Sequence, residues 1–202
     1  MKKKSFVLIL GLIFCLILPN SVHTCVGRVL IIALSNSPDQ VIMGQMLSIL
    51  INERTGTSVE IIQPGDVNMC HETVLTGKAN LYINYIGMGW ANTGGSTKVD
   101  DPQKVYTLVS QFYNEKFGMI WLKPFGFSGP LTLDKKGKKE SATLAAPVAT
   151  KDVLRKFPVL DRVINKLGGR IDNHTMDELR EKSEKQDVIE VVKEFLKTQR
   201  LI

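Results

Sequence analysis

The sequence predicts an α/β domain with a mostly parallel sheet flanked by helices, and three observations carry that prediction. Arg28 to Leu34 and Leu81 to Tyr85 are short apolar runs with little polar alternation, the composition of strands buried on both faces. Stretches of helical periodicity, opened by capping residues, fall between and after them. The resulting order of strand, helix, strand, helix, strand is that of the right-handed βαβ units in a doubly wound domain.

Each element has a local reason. After the first strand comes Ser37-Pro38-Asp39-Gln40. Ser37 is placed to cap a helix, Pro38 takes the first helical position, and Gln40 stands three residues after the cap, where a capping box needs it. That helix is expected to reach about Arg54, with Ile42, Met46, Ile49 and Leu50 on its apolar face and Thr55-Gly56 ending it. Ser58 to Ile62 reads as the second strand, Pro64-Gly65 as its turn, and Asn68 as the cap of a short helix from Met69 to Thr76. The third strand ends at Tyr85, where Gly87-Met88-Gly89 precedes no clear helix. A glycine-rich loop, Ala91 to Lys98, then leads to Asp101-Pro102, which opens a helix with Val105, Leu108, Val109 and Phe112 on one side. Met119 to Leu122 and Leu144 to Val148 read as further strands. Thr150 caps a helix through Lys156, Phe157-Pro158 restarts it through Leu167, and Asp172 to Lys185 and Asp187 to Gln199 are terminal helices. In the last of these, Val188, Val191, Val192, Phe195 and Leu196 form a stripe expected to dock on the domain.

Two segments stand apart from this domain, which is assigned to residues 25–202. Met1 to Thr24 carries Lys2, Lys3 and Lys4 ahead of an apolar run from Phe6 to Leu18 that stops at Pro19. The run is short for a membrane span and reads as an export signal, or, if uncleaved, as an N-terminal anchor. Cys25 raises lipidation as a second means of anchoring, although Val22, His23 and Thr24 match a lipoprotein signal poorly and favour ordinary cleavage. Each alternative places the protein in the periplasm or secretes it. The other segment, residues 126–143, holds Gly-Phe-Ser-Gly-Pro and then the charged run from Asp134 to Glu140, so it reads as a short connecting loop rather than a domain.

Composition narrows the function. The three lysines of the signal belong to the 26 basic residues, which leaves 23 against 20 acidic ones and a net charge near +3. The one dense basic run, Lys135 to Lys139, has no interleaved aromatics, and no nucleic-acid partner is expected. Cys25 and Cys70 fall near opposite sheet edges in the expected topology, so a bridge between them is not expected. His71 sits between Cys70 and Glu72, but neighbours on a helix point roughly 100° apart and do not converge. No set of histidines and cysteines has zinc spacing, and no paired carboxylates or phosphate-cradling lysine accompany the glycines. Neither an enzyme nor a cofactor or metal is expected.

Several stretches in order resemble the glycine betaine and choline binding proteins of osmoprotectant ABC importers. They are Leu34 to Leu47, Asn68 to Asn84, Tyr85-Ile86-Gly87-Met88, Asp101 to Tyr106, Phe117 to Leu122, Ala146-Pro147-Val148 and Phe157 to Ile171. The resemblance implies a type II periplasmic-binding-protein-like fold and a role in binding a quaternary amine for transport, with importer membrane subunits as partners. It also implies a ligand clamped between two lobes by an aromatic cage. Here residues 126–143 stand where the second lobe belongs, and they are too few to form one. The family tyrosine is kept as Tyr85, whereas Asn84, Ile86, Met88, Ser35 and Ser37 replace family residues at the ligand side. The ligand-binding candidates are Asn36, Ser37, Tyr85, Met88 and Trp90. Cation attraction to a single ring is worth about 0.5 to 1 kcal/mol, against about 4 kcal/mol for millimolar binding. Two readings stay open: a single-lobe solute receptor that gains a second wall by homodimerising, and a ligand-free interaction or sensory module on the same fold.

Overall fold

The computed structural model describes residues 29–94, 101–129 and 144–202, and within them one five-stranded mixed sheet carries the core. β1 (Leu30–Ser35) lies between β2 (Val59–Gly65) and β3 (Leu81–Tyr85) and is parallel to both. β4 (Met119–Trp121) forms the far edge, and β5 (Ala145–Thr150) fits between β3 and β4, antiparallel to each. The strand order is therefore β2-β1-β3-β5-β4. The sheet is less parallel than the early βαβ pattern implies, because β5 returns from the opposite direction.

α1 (Pro38–Thr55) connects β1 to β2, and α2 (Val67–Leu75) connects β2 to β3. Right-handed crossovers in opposite directions put these two helices on opposite faces of the sheet. α1 is packed against the sheet by Ile42, Met43, Met46, Leu47, Leu50 and Ile51, all at most 2% exposed. Its outer side is covered by α6 (Leu160–Ile164), α7 (Asn173–Lys185) and α8 (Val188–Thr198). The expected stripe on α8 does dock, through buried Val191, Val192 and Leu196. The other face carries α2, α3 (Ile86–Asn92) and α4 (Pro102–Lys116), and α5 (Lys151–Lys156) follows β5.

Several boundaries differ from the sequence expectation, each for a local reason. Asp66, not Asn68, caps α2, and its Oδ1 accepts the Met69 N–H at 2.8 Å. Pro64 and Gly65 do not turn the chain but close β2, opposite a register irregularity between Ala33 and Ser35. Gly65 makes this conformation accessible with φ of 140°. Directly after β3, where no helix was expected, Ile86–Asn92 is helical with Tyr85 at the capping position. The two glycines weaken intrinsic helix propensity, but Gly89 is what lets this helix approach β4. A Cβ on Gly89 would lie 2.5 Å from Trp121 Cζ2 and 3.0 Å from Val109 Cγ1. Packing against Trp121 overrides the local preference.

Cys70 is a free, fully buried thiol. The signal segment and Cys25 lie outside the described residues, as do residues 95–100 of the glycine-rich loop and 130–143 of the segment after β4. The described start of that segment is tied down by isolated bridges pairing Gly126 with Ile171 and Ser128 with Leu144. Among the described residues no helix is long and apolar enough to cross a membrane.

The Gly89 contact gives the first testable outcome. Gly89→Ala is expected to destabilise the protein by about 1 to 3 kcal/mol through overpacking against the rigid indole, read as a lower midpoint in urea denaturation. An unchanged or raised midpoint would mean that α3 does not rest on Trp121.

Candidate functional site

The C-terminal ends of β1 and β3 meet the first turn of α1, and polar side chains are buried there. Ser35, at the end of β1, is 7% exposed, while Gln40 and Asn84 are fully buried. Ser37 caps α1, its Oγ accepting the Gln40 N–H at 3.4 Å and standing 3.4 Å from the Ser35 Oγ. The Gln40 side chain does not close the expected capping box. Its Oε1 instead accepts the Ser35 N–H at 2.8 Å, and its Nε2 donates to the Ile83 carbonyl at 3.3 Å. One amide thereby joins the helix start to both strand ends.

Tyr85 closes β3 beside this junction. It is 4% exposed, and its hydroxyl is turned towards the Gln40 and Ser37 side chains. Burial pushes the phenol above its ordinary range, opposed by those two hydrogen-bonding groups and reinforced by the charge of Asp39. Gly129 lies directly on the ring, since a Cβ there would sit 2.2 Å from Tyr85 Cδ1. The Tyr85 N–H is held by Asn84 Oδ1 at 2.8 Å.

The structure thus brings Ser37 and Tyr85 together on either side of Gln40. Asn36 is exposed and faces outward, into a cavity of about 340 Å³ lined also by Val41, Arg180 and Val188. Met88 and Trp90 are carried on α3, half-buried against the core. Arg180 walls the Asn36 cavity on one side and a second one of about 270 Å³, reaching Ser128 and Gly129, on the other. Its Nε and Nη2 donate to Asp39 Oδ1 at 3.0 and 2.8 Å, and its Nη1 to Asp177 Oδ1 at 2.8 Å, which ties α7 to the start of α1. A larger cavity of about 800 Å³ opens at the opposite end of the sheet, between α2, β4 and α5. It contains none of the candidate residues.

Gln40, Asn84 and Arg180 escaped the sequence reading as functional groups. A glutamine three residues after a serine cap is a visible signal, but it pointed to the wrong backbone amide. Asn84 was visible as a polar residue inside an apolar strand. Arg180 carried no signal, because its partner Asp39 is far away in sequence. His71 and Cys70 lie on the far face of the sheet. Cys70 is pushed up to about 12 by burial and by Asp66, which keeps it a thiol at neutral pH.

Known proteins place this arrangement in context. The family model for the substrate binding domain of ABC-type glycine betaine transport systems matches residues 28–133, just over half of the chain. The ergothioneine transport permease/ergothioneine binding protein EgtU of Helicobacter pylori is 28% identical over 106 residues, 52% of this chain and 19% of that protein. The carnitine transport binding protein OpuCC of Listeria monocytogenes is 25% identical over 138 residues, 67% of this chain and 42% of that protein. The chain therefore spans less than half the length of the curated relatives it matches. Among solved structures, a glycine betaine/carnitine/choline ABC transporter protein superposes with a TM-score of 0.76 at 17% identity, covering 86% of this chain and 98% of that one. Apo YehZ from Escherichia coli gives 0.71 at 13% identity, covering 87% of this chain and all of that one. At these identities the likeness establishes the fold.

Replacing Gln40 tests how the site is built. Gln40→Ala would leave the Ser35 N–H and the Ile83 carbonyl without partners, and a cost of about 2 to 4 kcal/mol is expected. Chemical denaturation reads this directly, and a loss below about 1 kcal/mol would mean that solvent or a neighbour replaces the amide.

Proposed function

Because the chain belongs to the family of substrate-binding domains of ABC-type glycine betaine transport systems, we propose that it is an extracytoplasmic single-lobe receptor for a small quaternary amine or similar zwitterionic solute. It is a solute-binding protein rather than an enzyme, in keeping with its family. The ligand is assigned to the C-terminal ends of β1 and β3, where open α/β sheets place their ligands. The observation that carries this reading is the convergence of Ser37 and the Tyr85 hydroxyl on Gln40, at the point where the family-matched segment joins its first helix to its third strand. Asn36 supplies a neighbouring polar group from outside. Met88 and Trp90 on α3 are the residues proposed to meet the apolar part of the solute. Carnitine is the first solute to test, since a relative is named for carnitine transport.

In this reading residues 25–202 are one lobe, and the segment 126–143 replaces a second one. The missing wall comes from a second copy of the chain or from the membrane subunits of an importer. Asp39, whose charge reaches Tyr85, is paired with Arg180 at 2.8 Å, and Asn84 is neutral and committed to the Tyr85 backbone. The solute is therefore held by dipoles and ring faces, and the affinity of an isolated monomer is weak.

A second reading is favoured by one observation. Tyr85 is enclosed, with its ring under Gly129 and its hydroxyl already facing polar partners. A domain that had kept the fold and given up its solute would look like this, and its surface would then serve a protein partner.

Titration calorimetry of the purified protein against carnitine, glycine betaine and choline separates the two. Binding that Tyr85→Ala abolishes, with the variant still folded by circular dichroism, is the expected outcome. No heat up to millimolar solute from a folded protein would refute the receptor reading for these amines and support the interaction module.

A further inference from the structure

Alternation along β3 sends Tyr82 and Asn84 to the face covered by α2 and α4, and Tyr85 to the face covered by α1. On the first face a polar chain runs through the core. His71 Nδ1 lies 2.8 Å from the Tyr82 hydroxyl, and Asn84 Nδ2 donates to the same oxygen at 3.1 Å. The other end of that amide, Asn84 Oδ1, accepts the Tyr85 N–H at 2.8 Å. Tyr113 on α4 interacts with Tyr82 and Asn84, and Asn92 Nδ2 at the end of α3 stands 3.5 Å from its hydroxyl. His71 is 6% exposed, and Tyr82, Asn84 and Tyr113 are fully buried. A partner lost inside this chain is not readily replaced by water.

The polarity of the chain depends on the charge of one ring. A neutral His71 can accept at Nδ1, and Tyr82 then donates its hydroxyl proton to the ring. A protonated His71 must donate from Nδ1. The Tyr82 oxygen then receives two N–H donors, and its own proton has to turn towards Tyr113. The groups facing His71 are Tyr82 on β3, Tyr113 on α4, Phe117 directly after it, and Cys70 and Glu72 on its own helix. Burial disfavours the charged ring more than Glu72 favours it, which holds His71 below its ordinary 6.5. The sign follows. In the window below 6.5 the unfolded chain takes up the proton before the folded one, so the contribution of neutral His71 to stability is full above 6.5 and is lost as pH falls.

We propose that His71 is a pH-sensitive positioning residue for the end of β3. Gaining a proton makes His71 a second donor competing with Asn84 for the Tyr82 oxygen, and that competition shifts the Asn84 amide and loosens its hold on the Tyr85 N–H. The functional consequence rests on the reading above, in which Tyr85 touches the solute. At neutral pH the chain holds Tyr85 in place, and acidification releases it.

Amide and histidine-ring NMR of the protein between about pH 5 and 8, the range in which histidines change charge, tests this without any solute. The expected result is that the Tyr85 N–H resonance shifts with the same midpoint as the His71 ring, below 6.5. In His71→Asn, which keeps an acceptor near the Nδ1 position but cannot take up the proton, the Tyr85 resonance stays still. In Tyr82→Phe the His71 ring still titrates, but Tyr85 no longer follows. A Tyr85 resonance that is flat while the ring titrates, a ring that never charges in this range, or a Tyr85 shift that persists unchanged in either variant would overturn the proposal. Since no solute is added, a failure to bind amines leaves this readout untouched, and the two readings fail separately.

Discussion

Buried polar groups at the ends of β1 and β3 must all find partners inside the protein, and the C-terminal edge of these strands is arranged around that requirement. Ser35, Gln40 and Asn84 are buried there, where water cannot serve as a substitute partner. Gln40 serves both strands, and Asn84 bridges a backbone amide and a phenol. Leaving any one of these groups unpaired costs more than its hydrogen bond contributes. Gln40 ties the start of α1 to β1 and β3, and Asn84 holds the backbone amide of Tyr85. The Arg180 fork on Asp39 extends the same logic to the C-terminal helices, which lock onto the first turn of α1.

The arrangement also decides what this site can offer. Its polar atoms are mostly spoken for by the fold, and its aromatic ring is covered by Gly129. A solute bound here meets a preformed surface whose flanking charges, Asp39 and Arg180, are already paired with each other, rather than an open charged cage. That suits weak recognition of a zwitterion shared with a second wall. The opposite end of the sheet has the larger cavity, about 800 Å³ between α2, β4 and α5, lined by Asn80, Thr150, Lys151 and Asp152 among others, and it lies away from the strand ends where the family-matched helix begins.

Much of the fold was legible because its signals are local. The serine cap, the proline at the first helical position and the continuous apolar strands placed β1, α1 and β3 within a residue or two. The stripe on α8 was equally plain. What could not be read depended on distant partners. α3 looked like a turn because Gly87 and Gly89 disfavour a helix, and only the approach of Trp121 explains why a glycine is needed there. The candidate residues were legible as a set along the chain but not as a set in space. Ser37 and Tyr85 meet, while Asn36 looks outward and Met88 and Trp90 ride on a helix that periodicity did not reveal. The polar partners Gln40 and Asn84 were visible by type, but which atoms they would satisfy is decided by strand order.

The junction of β1, α1 and β3 is the proposed solute site. Mapping carnitine-induced amide shifts by NMR on the folded protein tests it most directly. Shifts concentrated at Asn36, Ser37 and Tyr85 to Trp90 are expected, with the C-terminal end of α2 and the residues of α5 unmoved. Shifts clustered at Leu75, Ile120 and Leu154, around the cavity at the other end of the sheet, would contradict it.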